Sequence, residues 1–205
     1  MNGGKSIDLA DIEAARTLIA PTIHRTRTER SASLSDKMGV PVHLKLEHHQ
    51  RTGSFKLRGA TNAVLNLTDA QRAQGVVGVS TGNHGRGLAY AARQNGVRCI
   101  ICMSELVPQN KIDGIKAQGA EVRIVGRSQD DAQVEVDQLV IDGMTMIPPF
   151  DHPNIIAGQG TIGLELAEDL LDLTTALVQL SGGGLISGVA AALKARLPNI
   201  KVIGV

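Results

Sequence analysis

Lys45-Leu46-Glu47-His48-His49-Gln50-Arg51-Thr52-Gly53-Ser54-Phe55-Lys56-Leu57-Arg58-Gly59-Ala60 decides how this chain of 205 residues is read. His43 and Lys45 alternate with Leu44 and Leu46, which predicts a strand over Val42 to Leu46. Thr52-Gly53 breaks the chain direction, and a helix starts near Ser54. Lys56 then falls in the first helical turn, where the macrodipole is positive and amide N–H groups lack intrahelical partners. A lysine's own charge is disfavoured there. In dry surroundings both effects favour the neutral amine, the form that attacks a carbonyl. The same helix end would welcome an anion such as a phosphate. A nucleophilic amine beside an anion site is the arrangement that Schiff-base chemistry requires. The plainer alternative is one solvated lysine among 21 Lys and Arg.

Two further stretches occupy the same kind of position. Ser80-Thr81-Gly82-Asn83-His84-Gly85 lies between a predicted strand, Val76 to Val79, and a predicted helix, Asn83 to Asn95. Amide groups at such a junction suit a carboxylate, although Asn and Gly are also ordinary turn and cap residues. Gly78-Val79-Ser80-Thr81-Gly82 also spells the G-x-S-x-G elbow of a serine hydrolase. That chemistry needs an acid and then a later histidine, yet only His84 and His152 follow Ser80, and no HGGG-type segment precedes it. The third stretch is Leu180-Ser181-Gly182-Gly183-Gly184-Leu185-Ile186-Ser187-Gly188. Consecutive glycines before a helix let backbone N–H groups converge on a phosphate. As a dinucleotide turn, Gly182-x-Gly184-x-x-x-Gly188 has one residue too many before its last glycine. That alternative would also leave Lys56 without a purpose.

Along the chain, Ser6 is positioned to cap a helix over Asp8 to Ile19 that Pro21 closes. Residues 24 to 40 read as loop with a short helix from Ala32 to Lys37, and a helix follows from Ser54 to Leu67. From Val76 onward strand, turn and helix repeat. Strands are predicted at Val76 to Val79, Val97 to Cys102, Glu121 to Val125, Met144 to Ile147, Ala176 to Leu180 and Ile200 to Val205. Helices are predicted at Asn83 to Asn95, Gln109 to Gln118, Ser128 to Ile141, Ile162 to Leu171 and Ile186 to Arg196. Such alternation predicts parallel α/β sheets with right-handed crossovers. The Pro148-Pro149 break suggests two lobes: a small inserted one over residues 68–149, and a larger one from residues 1–67 and 150–205. Val205 falls inside a predicted strand with no covering helix, so the chain reads as a fragment whose larger lobe is incomplete.

Composition narrows the function further. Hydrophobic residues make up 42% and charged residues 20%, with a net charge of +1, so no field gathers nucleic acid or an anionic membrane. There is no Trp, and Tyr90, Phe55 and Phe150 are the whole aromatic set, which leaves little for base stacking. No run approaches the roughly 20 apolar residues of a membrane helix. Residues 1–5 lack the apolar core of a signal peptide, and a cytoplasmic location is expected. Cys99 and Cys102 spell C-x-x-C, but on a strand positions three apart face opposite ways, so both read as buried packing residues. His43, His48 and His49 show no metal-ligand spacing, and no metal ligand is assigned.

Gln50-x-Thr52-Gly53-Ser54-Phe55-Lys56-x-Arg58-Gly59-Ala60, with the 80–86 and 180–188 stretches, resembles the pyridoxal-phosphate (PLP) enzymes of the tryptophan-synthase β type. The resemblance runs from about residue 7 to Val205 and is strongest to the threonine/serine dehydratase and serine racemase branch. Ser80 to Arg86 is similar to dehydratases of hydroxyectoine breakdown. The sibling cysteine synthases more often show Lys-Asp-Arg after the lysine and Asn-Thr in the second loop. The resemblance implies a two-lobed three-layer α/β fold and β-elimination from a β-hydroxy amino acid such as threonine or serine, giving a 2-oxo acid and ammonia. It implies that Lys56 bonds covalently to PLP and then serves as base. Asn83 would meet the ring hydroxyl, and Ser181, Gly182, Gly183, Gly184 and Leu185 the phosphate, with Phe55 and Asn154 as further contacts. Ser80, Thr81, Gly82, Asn83 and His84 would hold the substrate carboxylate. Two positions depart from the family pattern. Ser181 stands where a first glycine is usual, and its hydroxyl could donate to the phosphate. Thr81 stands where racemases carry a serine, and its methyl and stiff rotamer favour elimination over racemisation. A divalent cation and a homodimer or higher homo-oligomer are also implied, the cation held by a segment beyond Val205. A domain that merely holds PLP is the non-catalytic alternative.

Overall fold

The computed structural model describes residues 7–205. Ser6 lies outside the described residues, and the first helix, α1 (Leu9–Ile19), is capped by Asp8. Asp8 accepts from the Asp11 amide while the Asp11 carboxylate accepts from Asp8 N–H, so one cap satisfies two groups that the helix start leaves unpaired. Two three-residue strands, β1 (Thr28–Arg30) and β2 (His43–Lys45), pair antiparallel around α2 (Ala32–Met38). A single 3-10 turn, Glu47–His49, leads from β2 toward α3 (Lys56–Leu65).

The main sheet is built from residues 76–146. Its strands β3 (Val76–Val79), β4 (Cys99–Met103), β5 (Glu121–Ile124) and β6 (Thr145–Met146) run parallel in the order β5-β4-β3-β6. Helices α5 (Asn83–Gln94), α6 (Gln109–Lys116) and α7 (Gln129–Ile141) are the crossovers. Both faces of the two central strands are covered, which is why they read as unbroken apolar runs. Cys99, Ile101 and Met103 face the cluster that holds Leu88 and Ile115. Ile100 and Cys102 face Val136 and Leu139 on the other side. Cys99 and Cys102 are thus free thiols buried on opposite faces, as alternation requires.

Two helices depart from the sequence reading. A short polar helix, α4 (Asp69–Gln74), precedes β3. None of its residues is buried, so no apolar stripe announces it, although Thr68 and Gln71 form a capping box. The helix predicted over 162–171 is the second half of a longer one, α8 (Pro153–Asp169). Gly158 and Gly160 weaken its first half by roughly 1 kcal/mol each relative to alanine, which hides that half from a propensity reading. Burial outweighs that cost. A Cβ at Gly158 would lie 2.6 Å from the Gly59 Cα, and one at Gly163 would lie 2.7 Å from the Val189 carbonyl. The glycines therefore let α8 touch both α3 and α9 (Gly184–Arg196) at backbone distance. Strands β7 (Thr175–Val178) and β8 (Lys201–Gly204), parallel to each other, flank α9 in sequence. α8 is the common spine between the helix that begins at Lys56 and the helix that begins at the glycine turn.

Candidate active site

Lys56 is the first residue of α3, after a turn in which Gly53 adopts φ +77 and donates to the Gln50 carbonyl. Gln50 fixes that turn from the side. Its amide accepts from His24 N–H at 2.8 Å and donates to His24 O at 2.9 Å. The Lys56 amine is half-buried and donates to the Pro149 carbonyl at 2.6 Å, 5.3 Å from the centre of the Phe55 ring. Burial pushes its pKa below the ordinary lysine value. Among the described residues no carboxylate pairs with it, so nothing offsets the cost of keeping it charged.

His84, on the first turn of α5, is buried. Its Nε2 lies 2.8 Å from the Ile147 carbonyl, which can only accept, so Nε2 carries the proton and Nδ1 is a bare lone pair. Among the described residues Nδ1 has no hydrogen-bond partner, and neither have the buried hydroxyls of Thr52 and Ser54 in the lysine segment. Burial, with help from the nearby Lys56 charge and against the pull of the Ile147 carbonyl, lowers the His84 pKa to about 4. The imidazole is neutral at physiological pH. α5 itself lies hard against the lysine segment: a Cβ at Gly87 would come within 3.2 Å of the Lys56 carbonyl carbon and Leu57 N.

Ser80 has a structural task. Its hydroxyl accepts from the amides of Gly82 at 3.3 Å and Gly85 at 2.8 Å, capping α5. Among the described residues neither later histidine hydrogen-bonds to it: the His84 ring meets the Ile147 carbonyl through Nε2, and His152 accepts from Asn154 N–H at the start of α8. The hydrolase alternative therefore finds its serine without a base. Thr81 and Gly82 are half-buried, Asn83 is exposed, and Asn83 and His84 open the helix with first-turn amides.

The glycine turn meets the lysine segment through Phe150. A Cβ at Gly182 would fall 2.2 Å from the Phe150 ring, and one at Gly184 2.5 Å from the Phe150 carbonyl. Phe150 follows Pro149, whose carbonyl holds the Lys56 amine. Gly183 has φ +85, caps α9 with no side-chain acceptor, and has no atom within 4 Å of the place a Cβ would take. Ser181 and Gly182 are exposed, while Leu185 packs in the same apolar cluster as Phe55. An unpaired, half-buried amine thus neighbours a helix N-terminus whose amides are open to an anion, and these residues fit an aldehyde carrying a phosphate.

Asn154 stands at the start of α8. Its carbonyl accepts from Asn62 at 2.8 Å, and it helps line a cavity of about 310 Å³ between α1, α3 and α8. The sequence reading missed Ile147, Pro149 and Phe150, taking Pro148-Pro149 only as a break. A backbone carbonyl leaves no mark in a sequence.

A family model described as "Pyridoxal-phosphate dependent enzyme" matches residues 19–205. A protein of Sinorhizobium fredii named "Putative threonine dehydratase" is 58% identical over 206 residues, covering 100% of this chain and 62% of that protein. Among solved structures, the processed form of threonine deaminase isoform 2 from Solanum lycopersicum superposes with a TM-score of 0.92 at 38% identity, over 98% of this chain and 57% of that one. Maize serine racemase gives 0.94 at 36% identity, over 97% and 61%. The chain spans less than two thirds of the length of these relatives.

Proposed function

The chain belongs to the family of pyridoxal-phosphate-dependent enzymes, and on that premise we propose that it is part of a threonine/serine dehydratase. Such an enzyme eliminates water from an L-β-hydroxy amino acid and releases a 2-oxo acid and ammonia. The observation that carries this reading is the Lys56 amine: held at 2.6 Å by a carbonyl, paired with no carboxylate and shifted toward neutrality by burial. The names of similar proteins, a threonine dehydratase and a threonine deaminase, support the same reaction.

Bound pyridoxal phosphate supplies an electron sink for negative charge at the substrate α-carbon. In this reading Lys56 would hold the cofactor, and its Nζ, once free, would take the α-proton. The Pro149 carbonyl keeps that nitrogen from swinging into solvent, so base and α-carbon stay close. Amides of Thr81, Asn83 and His84 would orient the substrate carboxylate, with Ser80 and Gly82, joined by the bond from Gly82 N–H to Ser80 Oγ, holding the loop in shape. Asn83 meets the ring hydroxyl, Phe55 and Asn154 add contacts, and Ser181 to Leu185 receive the phosphate. The β-hydroxyl would leave as water with the proton that Lys56 took from the α-carbon, and the released enamine would take up water to give the 2-oxo acid and ammonia. Residues 68–149 form the smaller lobe in this reading. The assembly is a homo-oligomer in the cytoplasm, and hydroxyectoine-derived acids are candidate substrates.

Racemisation is a second reading, favoured by the similarity to a protein named serine racemase and by the Thr81 hydroxyl. One assay separates them. With the protein at the full length of its relatives, 2-oxo acid release is measured from L-threonine, L-serine and hydroxyectoine-derived acids, alongside chiral analysis of the remaining amino acid. Release of 2-oxo acid is expected. Inversion without release would favour racemisation, and neither, with PLP still bound, would leave a non-catalytic holder.

A further inference from the structure

Two residues beyond Lys56, Arg58 is fully buried between two carboxylates. Its Nε and Nη2 donate to Glu47 at 2.9 and 2.7 Å, and its Nη1 and Nη2 donate to Glu165 at 2.6 and 3.0 Å. Nη1 also reaches the Thr161 hydroxyl at 3.1 Å. Lys45 stands 2.7 Å from the same Glu165 and 3.6 Å from Asp169, so a second cation shares the network. Glu47 comes from the 3-10 turn, Glu165 and Thr161 from α8, and Arg58 from the first turn of α3. A guanidinium forked on both sides cannot rotate without breaking several charge-assisted bonds at once.

Burying such a group adds little net stability, because desolvation offsets the attraction. What it does add is a fixed orientation. At about 100° per residue, side chains two apart project from nearly opposite sides of a helix. Arg58 is anchored on one side of the turn that sends Lys56 out of the other. We propose that Arg58 is a positioning residue for Lys56: clamped by Glu47 and Glu165, it sets the roll of the first turn of α3 and so keeps the Lys56 amine at the Pro149 carbonyl. The inference rests on Lys56 being the reactive amine.

The test needs no cofactor. Trace acetylation with acetic anhydride from pH 6 to 11, mapped by peptide mass, reads the midpoint of every lysine in one digest. His84 is the titratable neighbour whose charge Lys56 would feel, and it is neutral throughout that range. In the unaltered chain the Lys56 midpoint falls below the ordinary lysine value. Arg58→Lys keeps the charge and loses the fork. It is expected to move the Lys56 midpoint up toward the ordinary lysine value, so that less of the amine is neutral at pH 7. A lower melting temperature with an unmoved Lys56 midpoint would overturn the proposal, because a merely structural role predicts that result. Should Arg58→Lys not fold, Glu47→Gln, at the more accessible end of the clamp, must shift the midpoint in the same direction; no shift overturns the proposal equally. Failure to hold PLP, with the shift intact, counts against the dehydratase reading alone.

Discussion

Lys56 and His84 are tied to one short run of backbone, the Lys56 amine to the Pro149 carbonyl at 2.6 Å and the His84 ring to the Ile147 carbonyl at 2.8 Å. Pro148 and Pro149 fix φ along that run, so the two acceptors keep their spacing. α3 and α5 are thereby registered on the same few atoms at the end of the main sheet. Charging both side chains there would add repulsion to two desolvation costs, and the arrangement favours at most one cation.

A pH dependence follows from His84. Unfolded, it titrates near 6.5; folded, near 4. Between those values the unfolded chain binds a proton that the folded chain refuses, so stability is full above pH 6.5 and lost as pH falls toward 4. At 1.36 kcal/mol per unit the loss is about 3 kcal/mol. Urea unfolding from pH 4 to 7 should show this slope, and His84→Gln should remove most of it.

The Arg58 clamp and a surface pair should differ in their cost. Arg58→Met leaves Glu47 and Glu165 facing each other without their shared cation, a loss of about 3–5 kcal/mol. Arg98 pairs with Glu121 at 2.9 Å with both side chains well exposed, and Arg98→Ala should cost at most about 1 kcal/mol. Chemical denaturation of the two variants side by side checks the ranking.

At the glycine turn, Gly183→Ala places a Cβ on a left-handed residue at a cost of about 1–2 kcal/mol, although the space in front is open. The variant should lose affinity for pyridoxal 5'-phosphate while its weak binding of pyridoxal, which has no phosphate, stays unchanged. Absorbance titrations with the two aldehydes make the comparison.

Ser80→Ala removes the acceptor for the Gly85 amide and should destabilise by about 0.5–2 kcal/mol, the usual cost of a lost cap. A fluorophosphonate probe should leave Ser80 unmodified in the unaltered chain. Labelling there would revive the hydrolase alternative.

Much of this molecule was legible in its sequence, and the exceptions share a cause. The two central parallel strands, β3 and β4, read as apolar runs, and the parity of Cys99 and Cys102 assigns their faces from the sequence alone. The glycine turn and the 80–85 loop could be found because glycine and asparagine mark junctions. The first half of α8 is hidden because Gly158 and Gly160 read as helix breakers alone and as close-packing residues only beside Gly59 and Gly188. β1 carries three residues, too few to show an alternation, and α4 buries nothing. The acceptors at Ile147 and Pro149 belong to the backbone, which every residue shares. Arg58 sat in full view within the motif, but only its partners 11 and 107 positions away give it a role.

The central claim is that the Lys56 amine condenses with a phosphorylated aldehyde seated on the glycine turn. It is tested most directly by adding pyridoxal 5'-phosphate, reducing with borohydride and mapping the fixed label. The account predicts a visible absorption band that reduction abolishes, one pyridoxyl group on Lys56, and none in Lys56→Ala. Label scattered over exposed lysines in both proteins, with Lys56 unmodified, would contradict it.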